Sequence, residues 1–267
     1  MNGATVVKLG GSLLEDSARR QAALDAIAAH VHARCARGET TGDLVVVHGG
    51  GRHVDGWLSR LGLPRRTHQG VRITDEPTLE VVTAVLSGLV NKMLVAELAS
   101  RGLRVLGFSG VDAGLLGASR MEAEGAVEFG NVGRVGRCDP GTVRTLLDTG
   151  HLPIIASLAL GPAGEILNIN ADAAASAIAS ALPAHRLIFL TDVDGLLDRR
   201  GRRVAYLSAA KAAEMLSTPT VTGGMRPKLN ACLQAFASGV PHVLIAGPRQ
   251  QQRALSRGEG GTRLVAA

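Results

Sequence analysis

The chain has 267 residues and a formal net charge of +6, and 46% of it is hydrophobic but only 2% aromatic. That length suits one large α/β domain or two lobes, with a core built from Val, Leu, Ile and Ala. One Trp, one Tyr and four Phe leave few rings for stacking on bases, and no run of five basic residues occurs, so the charge points away from a nucleic-acid partner and toward small anionic ligands.

In chain order, residues 5–9 read as a buried β-branched strand that carries Lys8 and ends at Gly10-Gly11. Residues 18–35 place Ala22, Leu24, Ile27, Ala28 and Val31 at helical spacing. A strand over 43–47 runs into His48-Gly49-Gly50-Gly51, and a helix is expected over 54–61. Thr74-Asp75-Glu76-Pro77 offers a cap and a first-turn proline for a long helix over 76–100. A strand over 104–108 ends at Ser109-Gly110, residues 119–138 read as a short hairpin region, and 142–149 and 152–156 read as helix and strand. Leu167-Asn168-Ile169-Asn170 leads into an alanine-rich helix over 172–182. A strand over 186–190 ends at Thr191-Asp192-Val193-Asp194-Gly195, and helices over 208–217 and 228–238 precede a strand over 243–246.

Continuous apolar strands alternating with helices predict an α/β fold with a mainly parallel open sheet covered on both faces. Ligands of such sheets bind beyond the carboxyl ends of the strands, where the glycine-rich and polar clusters fall. The break at Leu182-Pro183 is the best lobe boundary, dividing 1–182 from 183–267. Cys35, Cys138 and Cys232 show neither metal-ligand nor disulfide spacing, which fits a reducing cytoplasm. The chain enters a strand pattern almost at once, so no signal peptide is expected. No apolar run is expected to approach the roughly 20 residues that span a bilayer.

The clusters carry chemistry by residue type. A cation at Lys8, beside backbone N–H groups freed by glycine, suits a polyanion, although the spacing is not that of a P-loop. Lys228 follows Gly223-Gly224, and two ammonium groups converging on one phosphate suit phosphoryl transfer. The three glycines after His48 serve close backbone approach or a tight turn, and His48 itself reads as a packed core histidine rather than a base. Arg72 reads either as a carboxylate clamp or as a surface ion pair with Asp75 or Glu76. In Asn168-x-Asn170-x-Asp172, either Asn170 or Asp172 can cap the helix; the remaining groups exceed what a cap requires. Thr191 to Gly195 reads as a nucleotide or metal loop, or as an Asp-Gly turn.

Taken in order with Gly70-Val71-Arg72-Ile73-Thr74-Asp75, Gly88-Leu89-Val90-Asn91-Lys92, Gly223-Gly224-Met225 and Gly261-Thr262-Arg263-Leu264, these clusters resemble the amino acid kinase family, in its branch acting on acetylglutamate. The resemblance implies a three-layer αβα sandwich. Its N-terminal lobe would bind an acetylamino acid and dimerise, and its C-terminal lobe would bind ATP. The implied reaction is Mg²⁺- and ATP-dependent phosphorylation of the side-chain carboxylate of N-acetyl-L-glutamate, a step of arginine synthesis. By that resemblance Lys8 and Lys228 stabilise the transferring group and Asp172 orients them. Gly49 and Gly50, with Gly11, cradle phosphate and substrate. Arg72 holds the α-carboxylate, and Asn168 and Asn170 contact the acetylamino acid. Gly10, Gly11, Thr191, Asp192, Val193, Gly195, Gly224 and Met225 form the nucleotide side, and no side chain is assigned to metal. Asp194 and Arg226-Pro227 depart from the family pattern, and Arg226 would add charge near ATP. The short stretch before Lys8 implies a homodimer without an interlacing N-terminal helix. Related acyl acceptors, N-succinylglutamate or carrier-linked aminoadipate, are the nearest alternatives. A non-catalytic sensor should have lost Lys8, Lys228 or Asp172, and all three are present.

Overall fold

The computed structural model describes residues 3–38, 43–198, 200–217 and 224–266. Thr222 and Gly223, from the glycine turn before Lys228, lie outside the described residues. The strands are β1 (Thr5–Leu9), β2 (Leu44–His48), β3 (Thr67–His68), β4 (Val71–Arg72), β5 (Val105–Ser109), β6 (Leu116–Arg120), β7 (Val132–Cys138), β8 (Leu152–Ala156), β9 (Leu158–Leu160), β10 (Ile166–Ile169), β11 (Arg186–Leu190), β12 (Tyr206–Ser208), β13 (His242–Ala246) and β14 (Thr262–Val265). Eight of them form one sheet in the order β12-β14-β13-β11-β1-β2-β8-β5, with β13 and β14 its antiparallel pair. The rest of the sheet is parallel, and β1, β2 and β8 are buried along their whole length, as a sheet covered on both faces requires. Strands β10, β7, β6 and β9 close into a small second sheet, and β3 with β4 forms a hairpin.

The helices are α1 (Gly11–Glu15), α2 (Ser17–Cys35), α3 (Gly51–Arg60), α4 (Glu76–Thr83), α5 (Asn91–Ala99), α6 (Gly141–Asp148), α7 (Ala171–Ala181), α8 (Ala209–Ser217), α9 (Met225–Ala237) and α10 (Gln251–Arg257). Successive strand residues face opposite sides of the sheet. Val6, Val47, Leu187 and Phe189 therefore pack with Ala175 and Ile178 of α7 and Leu229 of α9. Val7, Leu9, Val46 and Ile188 pack with Leu24 and Ile27 of α2 and Leu255 of α10. The result is the three-layer αβα sandwich. Lys8 shares the parity of Val6, so it faces the layer that holds α7 and α9.

The structure departs from the sequence reading in several places. Helix α3 begins at Gly51, immediately after Gly50, rather than at residue 54, and α9 begins at Met225, which sets Lys228 one turn inside. The long helix is continuous from Glu76 to Ala99, but Ala84–Val90 is a π-helical stretch. By length and composition that run is apolar enough to cross a membrane, contrary to the expectation that no segment approaches this. In the fold it lays Val82, Leu86, Val90, Leu94 and Leu98 into the core and buries the polar Asn91. Strand β1 pairs directly with β11, so one sheet runs through both 1–182 and 183–267, and the division into two lobes there stays a proposal from the sequence.

Candidate active site

Parallel register sets the ends of β2, β1 and β11 level: Leu9 stands beside His48 on one side and Leu190 on the other. The glycine turn after β1 is held there by Gly10 N–H donating to Leu190 O at 3.0 Å. A Cβ at Gly10 would lie 3.1 Å from that oxygen, so the close approach favours glycine.

Helix α7 starts in the same region, and its cap is Asn170. The Asn170 Oδ1 accepts from Asp172 N–H at 2.8 Å and Ala173 N–H at 3.2 Å. This leaves the Asp172 carboxylate free of capping duty, in the first turn and facing the sheet. Its Oδ1 lies 2.8 Å from Lys8 Nζ and 3.1 Å from Lys228 Nζ. Lys228 shares its face of α9 with the buried Cys232 and Ala235, and its ammonium stands 5.4 Å from the centroid of the Phe189 ring. All three charged groups are buried: Lys8 is 7%, Asp172 4% and Lys228 5% exposed.

One carboxylate oxygen thus bridges two ammonium groups, and the cluster keeps an unbalanced positive charge. Burial alone would raise the Asp172 pKa, but Lys8 and Lys228 overcome this and hold the carboxyl below its usual range. Burial, more than Asp172 can offset, lowers the Lys8 pKa, and the neighbouring Lys228 lowers it further. A bound polyanion would relieve both effects.

Two cavities meet at this cluster. The smaller, about 270 Å³, is lined by Gly49, Gly50, Arg72, Asn168 and Asn170 together with Lys8 and Asp172. The larger, about 610 Å³, is lined by Gly10, Gly11, Thr191, Asp192, Val193, Gly224, Met225 and Lys228, again with Lys8 and Asp172. Arg72 borders both. It is not the surface residue that pairs with Asp75, a role that Arg66 takes. Its Nη2 lies 2.5 Å from Asp55 Oδ1 and donates to Gly51 O at 2.8 Å, while its buried Nη1 has no hydrogen-bond partner among the described residues. A guanidinium held on one side with a buried donor to spare suits a carboxylate ligand. Asn168 Nδ2 donates to Thr74 Oγ1 at 3.1 Å, and Thr74 Oγ1 donates to Arg72 O at 2.9 Å, which ties β10 to the end of β4, where Arg72 sits.

On the larger cavity, burial opposes ionisation of Asp192, but bonds from Thr191 and Ser12 hold its carboxyl below the usual range. Gly195 lines neither cavity. It takes φ of +130°, and a Cβ there would lie 2.7 Å from Thr262 Oγ1, so glycine at this position serves packing of the loop on β14. Arg226 is exposed and lines neither cavity, and Asp194 stands 3.7 Å from Arg249. Sequence reading missed Val82, Leu86, Met121 and Ser157 on the smaller cavity and Ser12 and Asp55 on the larger. Ser12, next to the glycine pair, carried a signal; the apolar residues did not, because any core residue reads the same way.

The profile of the amino acid kinase family matches residues 3–247. The chain is 42% identical over 265 residues to the acetylglutamate kinase of Solibacter usitatus, covering 98% of this chain and 99% of that protein. It is 39% identical to the acetylglutamate kinase of Dehalococcoides mccartyi, covering 99% and 95%. Among solved structures, smu.665 from Streptococcus mutans superposes over the full length of both chains with a TM-score of 0.83 at 27% identity. Order of motifs, sandwich topology and full-length similarity agree: the chain belongs to the amino acid kinase family.

Proposed function

We propose that the enzyme transfers the γ-phosphoryl group of ATP to the side-chain carboxylate of N-acetyl-L-glutamate, forming N-acetyl-L-glutamyl 5-phosphate in arginine biosynthesis. The observation that carries this reading is the Asp172 oxygen shared by Lys8 and Lys228 where the two cavities meet. The acceptor carboxylate is anionic at neutral pH and needs no general base. What opposes the reaction is repulsion between two anions, and two fixed ammonium groups in a buried site counter it.

In this reading Arg72 binds the α-carboxylate through its spare donor. Asn168 and Asn170 contact the acetylamino group, and Gly49 and Gly50 offer backbone N–H groups to the acceptor side. The larger cavity takes ATP, with Gly10, Gly11, Thr191, Asp192, Val193, Gly224 and Met225 around it. Gly195 then acts only by shaping the loop. Mg²⁺ neutralises phosphate charge when it arrives with the nucleotide. Asp192 lines the larger cavity and is the carboxylate we assign to the ion's vicinity.

A homodimer is supported by the edge of the main sheet. Among the described residues strand β5 is unpaired on one side and exposes Leu106, and Leu89 is exposed one turn before Lys92, whose ammonium donates to Gly107 O at 2.7 Å. A cytoplasmic enzyme is consistent with three free cysteines.

Turnover measured by coupled ADP release with N-acetylglutamate, N-succinylglutamate and N-acetylaminoadipate tests the acceptor. N-acetylglutamate is expected to give the highest kcat/KM; no turnover of it would refute the reading.

A further inference from the structure

Two fully buried polar side chains stand behind the glycine turn: His48, the last residue of β2, and Asn91, the first of α5. Neither side chain has a part in the chemistry above, and neither lines the two cavities. Asn91 follows directly on the π-helical stretch Ala84–Val90, and such stretches concentrate at functional sites. The stretch presses Leu86 and Val90 onto the turn: a Cβ at Gly50 would lie 2.8 Å from Leu86 Cδ2 and 3.3 Å from Val90 Cγ2.

The bonds around Asn91 fix which way its amide points. Its Nδ2 lies 3.0 Å from Ile154 O and 3.2 Å from Phe108 O, and carbonyl oxygens only accept. Its Oδ1 accepts from the Lys92 ammonium at 3.1 Å. The same Nδ2 lies 3.1 Å from His48 Nε2; its two hydrogens are shared among three acceptors, and because an amide NH2 cannot accept, Nε2 cannot carry the proton toward it. The other ring nitrogen, Nδ1, lies 2.9 Å from Gly49 O, again a group that only accepts. Both contacts require the neutral imidazole with its proton on Nδ1. Burial pushes the His48 pKa down to about 4; His53 and Lys92 lower it further and the Gly49 bond opposes, so the ring is neutral at working pH.

In a trans peptide the carbonyl and the next N–H point in opposite directions. Holding Gly49 O against the buried ring turns Gly50 N–H to the other side, where Gly49, Gly50 and Gly51 line the cleft. We infer that His48 is a positioning residue: Asn91 locks it in the Nδ1–H form, and it aims the Gly50 N–H at the anionic oxygens of the reacting groups. The inference rests on the phosphoryl-transfer reading for what the N–H meets, but not for the tautomer.

Long-range ¹H–¹⁵N spectra of histidine-labelled protein test the lock. Wild type at pH 7 should show His48 neutral and protonated on Nδ1, and the folded Asn91→Ala variant should gain the Nε2–H form. An Nε2–H signature in wild type, or no change in Asn91→Ala, overturns the inference whatever the substrate. His48→Phe keeps ring volume and removes the donor. Its kcat should fall about 10- to 100-fold, less than or similar to loss of a direct oxyanion donor, with KM for both substrates within about threefold. A folded His48→Phe enzyme with wild-type kcat also overturns it. If that variant does not fold, the two tautomer measurements decide. Failure of the wild type to phosphorylate N-acetylglutamate would count against the proposed function and leave the tautomer result standing.

Discussion

Lys8 and Asp172 meet at 2.8 Å although one lies on the first strand and the other in the first turn of α7. Strand parity turns Lys8 toward that helix layer, and Asn170 takes the cap so that Asp172 does not have to. The third member, Lys228, reaches the same oxygen from α9.

Asp172→Asn leaves two buried ammonium groups without a counter-charge. Removing one partner of a buried pair destabilises by about 3–5 kcal/mol. The thermal midpoint should therefore fall, and ATP should restore part of it by supplying negative charge to the bound state. An unchanged midpoint without ligand would mean that the bridge is not formed in solution.

Lys8→Ala and Lys228→Ala should each lower kcat by roughly 10²- to 10³-fold, while KM for ATP changes only a few-fold, because their contacts strengthen as charge shifts between the oxygens. Steady-state kinetics on both substrates check this. A variant with normal kcat removes that lysine from the mechanism.

Arg72→Ala should raise KM for the amino acid by about tenfold or more, the scale of one charge-assisted pair, with kcat little changed. Arg72→Lys should restore little, because a single ammonium cannot keep Asp55 and grip a carboxylate in two places. Unchanged KM in Arg72→Ala would show that the spare donor meets no substrate.

His48 gives a pH dependence of stability with a defined sign. Its folded pKa is about 4 against 6.5 for the free ring, chiefly through burial. Between these values the unfolded chain binds more protons, so the stabilising contribution is present above 6.5 and is lost as pH falls toward 4. Between pH 7 and pH 5 the loss is about 2 kcal/mol by linkage. Urea unfolding of wild type and His48→Phe at both pH values should show that His48→Phe lacks this share of the decline. Parallel declines would contradict a neutral buried imidazole.

Much of the candidate site is legible because its residues stand where continuous apolar strands end in unusual residues. Lys8 after Val6-Val7, the glycines after His48 and the amides before Asp172 each exceeded what local structure requires. Other parts were not legible. Asn170 and Asp172 were equal candidates for the cap, and only the fold shows that Asn170 takes it. Thr191 to Gly195 reads either as a ligand loop or as an Asp-Gly turn, and the packing of Gly195 on Thr262, far along the chain, is not visible locally. The π-helical stretch, which sets Leu86 and Val90 close against Gly50, has no local signature in the sequence. The hairpin strands β3 and β4 hold two residues each, too few for a period-two pattern.

Trapping the product with hydroxylamine decides whether an acyl phosphate forms. With ATP, Mg²⁺, N-acetyl-L-glutamate and hydroxylamine, an acyl phosphate is converted to a hydroxamate that can be measured against ADP. Wild type should form hydroxamate and ADP in equal amounts, and the Lys8→Ala and Lys228→Ala enzymes should form both roughly 10²- to 10³-fold more slowly. ADP formed without hydroxamate, or no ADP above background from the wild-type enzyme, would contradict it.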